Sequence, residues 1–90
     1  MNIKCADGGG PLAPGEPFTF ENHTDEDCSL GDYSAVFTLD TNPVPAKKNG
    51  VAGTASATIL ANIEDDYYEY TASCNKKREN PKIHVDSGKP

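Results

Sequence analysis

Apolar residues in this chain recur at alternate positions in short runs, and Gly and Pro separate the runs. In PFTFEN (17–22), Phe18 and Phe20 share one face and Thr19 lies on the other. YSAVFTL (33–39) puts Tyr33, Ala35, Phe37 and Leu39 on one face. YYEYTAS (67–73) sets Tyr68 and Tyr70 together with Tyr67 opposite. KIHVD (82–86) separates Ile83 and Val85 by His84, which alternation turns to solvent. GTASATIL (53–60) consists of small and β-branched residues suited to a tightly packed strand, and NIKC reads as a first, short strand. Alternation at period two belongs to a sheet with one buried face. Runs of this number and spacing predict an all-β chain folded as an antiparallel β-sandwich or barrel. There is no long 3.6-period segment and no internal repeat. Helix is confined to a turn within 41–50 or 61–66, and Pro43 with Pro45 argues against the first.

The stops between runs set the organisation. TNPVPAKKNG (41–50) reads as the mobile loop, the Gly/Pro-rich 5–16 as an extended or flexible entry segment, and 87–90 as a short tail. Residues 1–90 fit one domain. A chain this small buries only about 60% of its unfolded surface, so a crosslink would help its marginal core.

Charge narrows the partners. The net charge is −6, and Lys76, Lys77 and Arg78 form the one basic cluster, which reads as a solvated turn. Nucleic-acid binding needs a basic face, which this chain lacks. No apolar run approaches the ~18 residues of a membrane span. MNIKCADGGG lacks the apolar region of a signal peptide. The cysteine usage looks extracytoplasmic, so the expectation is a periplasmic or secreted protein whose leader has been removed.

ENHTDEDCSLGD (21–32) gathers a histidine, a cysteine and many carboxylates in what reads as a loop. His23 and Cys28 would supply two ligands where zinc wants three or four, and there is no CxxC, so His23 reads as an exposed turn residue. Asp25, Glu26, Asp27 and Asp32 do not follow the EF-hand pattern. With Glu64, Asp65, Asp66 and Glu69 they read as solvated loops. Asn22-His23-Thr24 is a glycosylation sequon, which in a eukaryotic secreted protein would mark a surface loop, although such triplets often arise by chance. The tyrosines of 67–70 could line a binding strip, but on a strand such residues usually serve core and cross-strand packing. Paired carboxylates for glycoside hydrolysis would need a cleft, for which so short a chain leaves little room. There is no serine elbow, Walker loop or dinucleotide fingerprint, and GGG runs into Pro11 rather than a helix. The expectation is no enzyme and no cofactor. Three cysteines allow three single pairings, among which the residues alone do not choose. An odd cysteine such as Cys5 reads as a free thiol, a Cys5-linked dimer of an otherwise monomeric protein, or a lipidation site, though MNIK is far too short for a lipoprotein leader.

Three stretches in order resemble a cupredoxin. PGEPFTFEN is similar to the glycine turn and strand before that family's first copper loop, with Asn22 where the family often closes the strand. YYEYTASC resembles the tyrosine-rich strand ending at the copper cysteine, and PKIHVD resembles the closing strand. Immunoglobulin-like Greek-key sandwiches carry a similar pattern. The resemblance spans roughly residues 15–86. Blue copper needs two His, one Cys and a weak axial ligand such as Met. Here Cys28 stands where the first histidine belongs, and NKKRENP after Cys74 has neither His nor Met. His84 sits inside a strand. The resemblance therefore implies a cupredoxin-like fold without its copper site, and it brings Cys28 and Cys74 close enough to form a disulfide. Closing that loop would stabilise the fold by about 4 kcal/mol in the chain-entropy model. The alternative is a Cu(I) or zinc site built from Cys28, Cys74 and either His23 or Cys5, since soft thiolates favour those ions. Together these expectations describe a non-enzymatic extracytoplasmic domain with a binding or structural role toward a protein or surface partner.

Overall fold

The computed structural model describes residues 3–5 and 10–88. Among them there is no helix, and each named strand pairs antiparallel. The strands are β1 (Ile3–Cys5), β2 (Pro17–Asn22), β3 (Cys28–Gly31), β4 (Phe37–Leu39), β5 (Gly53–Ile59), β6 (Asp66–Glu69), β7 (Thr71–Cys74), β8 (Lys77–Glu79) and β9 (Lys82–Val85). They form three sheets, ordered β1-β2-β5-β4, β3-β7-β8 and β6-β9.

The alternation in β2 places Phe18, Phe20 and Asn22 inside. β5 buries Ala55, Ala57 and Ile59 in the same rhythm. Small side chains on β5 leave room for the rings beside them. Phe18, Phe20 and Phe37 lie 5.2–5.6 Å apart, and Tyr70 meets Phe20 at 5.8 Å and Phe37 at 5.6 Å, mostly edge-on. Edge-to-face contacts suit the ring quadrupoles and add about 0.5–1.5 kcal/mol per pair to the burial itself. Leu30, Val44, Ile83 and Val85 complete the core.

Several elements differ from the sequence-based expectation. The run 33–39 is not one strand. Residues 34–36 turn, Val36 and Phe37 both donate backbone bonds to the Tyr33 carbonyl, and only Phe37–Leu39 is extended. The turn exposes Ala35 and buries Val36, while Tyr33 stacks on Phe37 at 4.8 Å. The run 67–73 breaks at Tyr70, so β6 pairs with β9 and β7 passes into another sheet. Its faces survive the break: Tyr70 is buried, Tyr68 half-buried and Tyr67 exposed. Residues 28–31, read as loop, form β3, whose alternation hides Cys28 and Leu30. The basic cluster is a hairpin rather than a plain turn. Asn75, with φ of 55°, turns β7 into β8, and every β8 side chain is exposed.

The segment 41–50 is tethered rather than loose. Val44 is fully buried and exchanges both backbone bonds with Cys28, at 3.0 and 2.8 Å. Asn42 accepts from the Leu30 amide and donates to the Leu30 carbonyl, reproducing a strand rung with its side chain. Asn49 and Gly50 both have positive φ and close a tight hairpin between Lys48 and Val51, as an Asn-Gly pair favours. Of the entry segment, Cys5 belongs to β1 and residues 6–9 lie outside the described residues. Leu12 is buried and bridges Val85, through bonds to the His84 carbonyl and from the Asp86 amide. In the tail, Asp65 accepts from the amide and hydroxyl of Ser87. Residues 89–90 lie outside the described residues.

These bonds define two ends. Asn22, Gly53, Cys28, Val44 and Cys74 gather at one, tied by the β2–β5 and β3–β7 registers and by Val44. Pro17, Ile59, Leu12, Asp66 and Val85 mark the other.

Candidate functional site

Residues 22–28 lie at the first of these ends, whereas β3 carries Asp32 away from it. Cys28 and Cys74 are directly opposed in the β3–β7 register, with Cα atoms 4.3 Å apart, and their sulfurs are joined in a disulfide. Both are buried. The bond spans 46 positions of sequence and ties β3 to β7 beneath Val44.

Beside it lies a polar node that the sequence reading missed. Asn22 is fully buried, and its amide meets partners on both sides. Nδ2 donates to the carbonyls of Glu26 at 2.8 Å and Val44 at 3.1 Å. Oδ1 accepts from the Thr24 amide at 2.9 Å and the Thr24 hydroxyl at 2.7 Å. A buried amide with each of its groups bonded costs little to bury and fixes the loop that delivers Cys28. The sequon reading is thereby corrected: the nitrogen that would carry a glycan is inside the protein, holding two carbonyls. The signal was present in Asn-x-Thr, since Asn and Thr at this spacing also make an Asx turn.

The acids nearby serve the backbone and the surface. Asp27 accepts from the Ala46 amide at 2.9 Å, and Asp25 lies 3.7 Å from Lys47. Lys47 also donates its amide to the Thr24 carbonyl. His23 is half-exposed and sits 3.1 Å from Glu21. Cys5 is opposite Phe20 in the β1–β2 register, and its side chain lies outside the described residues. His84, expected to face solvent, is half-buried and stacks on Tyr67 at 4.3 Å across the β6–β9 pair. Among the described residues no three His, Cys, Asp or Glu side chains converge as a metal site. The structure therefore brings Cys28 and Cys74 together but pairs His23 with a carboxylate. The Cu(I) or zinc alternative relied on Cys28 and Cys74 as thiolates, which a disulfide does not offer.

At the opposite end an open hollow of about 600 Å³ is lined by Leu60, Asn62, Ile63, Glu64 and Tyr68, among others. The Tyr68 hydroxyl donates to the Glu64 carbonyl at 2.6 Å. Partial burial, then Asp66, Glu64 and Asp65, hold its phenol above the ordinary value of 10.0. No helix among the described residues is long and apolar enough to cross a membrane.

No protein-family model matches the chain, and no curated protein does. Solved structures do match. The crystal structure of the S-layer protein rSbsC superposes with a TM-score of 0.56 at 17% identity, covering 100% of this chain, which spans 13% of that one. The crystal structure of domains 4 and 5 of the S-layer protein SbsC superposes with a TM-score of 0.50 at 14% identity, covering 94% of this chain and 51% of that one. At such identities the likeness is one of fold.

Proposed function

We propose that this chain is a non-enzymatic structural domain of an extracytoplasmic protein. We take its three sheets as a Greek-key β-sandwich of cupredoxin-like or immunoglobulin-like type, stapled by Cys28–Cys74 and without a copper site. The single observation that carries the reading is the buried disulfide at the loop-rich end. Disulfides persist in oxidising compartments, and small exported domains use them where the core is thin. The polar side chains around it support the same reading, because Asn22, Asn42 and Asp27 are spent on backbone groups of this chain. The fold likeness to S-layer protein domains agrees with a domain that builds a surface layer or its supporting chain, through loops or sheet edges. In the SbsC structure two numbered domains share one chain, and this chain matches about half of it.

The test is labelling with a membrane-impermeant amine reagent of source cells whose inner membrane is intact and whose outer membrane, where there is one, has been opened, together with their medium. Lys77 and Lys82 are exposed, so the reading predicts labelled peptides containing them without lysis. Labelling that appears only after the inner membrane is lysed overturns it.

A further inference from the structure

The first and last of the described strands, β1 and β9, reach opposite ends of the fold. β1 begins at Ile3, opposite Asn22, whose other neighbour is Gly53, at the disulfide end. β9 leaves at Val85, opposite Asp66, and Ser87 is fastened to Asp65 beyond it, at the other end. Residues 66–74 run from one end to the other. Asp66 is paired with Val85 and Cys74 with Cys28, so the segment joins the two ends. Chain joined before Ile3 and chain joined after Gly88 therefore lie at opposite poles.

We infer that the domain is a tension-bearing link, loaded from pole to pole, in which Cys28–Cys74 acts as an extension stop. The inference rests on the structural reading above. Its basis is the direction of the terminal strands. β1 points inward from the disulfide pole, and β9 points outward at the far pole. A pull on the two ends runs along both strands. Antiparallel rungs are perpendicular to their strands, so such a pull shears the rungs of β1–β2 and β6–β9 together instead of opening them one by one. β9 is further held on its second edge by Leu12. Once the strands give, the disulfide keeps residues 28–74 from paying out. At roughly 3.3–3.6 Å per residue the oxidised chain reaches about 150 Å and the reduced chain about 310 Å.

The experiment is single-molecule pulling on the full chain in two geometries at one loading rate. One uses handles at the two termini. The other uses the N-terminus and a click handle at position 76, an exposed hairpin turn at the same pole as Ile3. Rupture under force reports the unfolding barrier, and the inference predicts a force at least about twofold higher pole to pole than across the pole. It also predicts the short extension until reductant is added. Equal or lower pole-to-pole force overturns the load-bearing role, and full extension while oxidised overturns the stop. Labelling of Lys77 and Lys82 is unaffected by either result, so failure here leaves the structural reading to stand or fall on its own test.

Discussion

Asn22 reaches 22 positions along the chain to donate a 3.1 Å hydrogen bond to the carbonyl of Val44. Val44 in turn holds Cys28 through both backbone bonds. One side chain thus ties β2, the proline-rich segment and the disulfide strand into a single polar node. Asn22→Ala leaves two carbonyls and the Thr24 groups without their partner inside the protein, which costs about 2–4 kcal/mol. Urea denaturation of the oxidised variant checks this. A loss under about 0.5 kcal/mol, the range of ordinary surface substitutions, contradicts the node.

The same burial leaves no room for a glycan on Asn22 in the folded protein. Secreted from a eukaryotic host, the folded protein is expected to carry no glycan at Asn22, although Asn22-His23-Thr24 fits the acceptor pattern. Peptide mass mapping decides it.

Gly53 makes a sharper steric claim. A Cβ there would collide with the Pro45 carbonyl, which is backbone and has no rotamer to yield. Gly53→Ala is expected to cost about 2–4 kcal/mol, as overpacking and broken backbone contacts do. Gly10→Ala, where the space is open, is the control and should be near neutral in the same melt.

Tyr68 gives the pH dependence a sign. Its folded phenol stays protonated to higher pH than in the unfolded chain, because partial burial and then Asp66, Glu64 and Asp65 oppose the phenolate. The stability linked to it is fully present below pH 10 and is lost as pH rises through the folded value. Ultraviolet titration of the folded protein should show a late-ionising component, and Tyr68→Phe should diminish it.

Much of this was legible in the sequence where one face of a strand is buried. Phe18 and Phe20, and Ile83 and Val85, announced their strands by alternation, and 53–60 did so by its small and β-branched composition. The rest was hidden for separable reasons. β3 is four residues long and sits among acids, so Cys28 and Leu30 were too few to show a period. β8 buries nothing and has no pattern to read. The chain changes sheets at Tyr70 without interrupting its alternation, because both halves bury the same face. Val44 is buried between two prolines by bonds from elsewhere, which local composition does not encode. At the site, the pairing of Cys28 with Cys74 was accessible only through the family resemblance. The role of Asn22 was masked by the more familiar meaning of its triplet.

The staple is also quantitative. Cys28→Ala/Cys74→Ala is expected to lose about 4 kcal/mol in the chain-entropy picture. Thermal unfolding of the double variant beside the oxidised parent measures it.

The most direct test of the central claim is the intact mass of the native protein, taken from its own cells after rapid alkylation, with and without reductant. The account predicts a mass lower by two hydrogens, about 2 Da, and one alkylated thiol, mapped to Cys5. Three alkylated thiols before reduction, or a native mass raised by a bound metal ion, would contradict it.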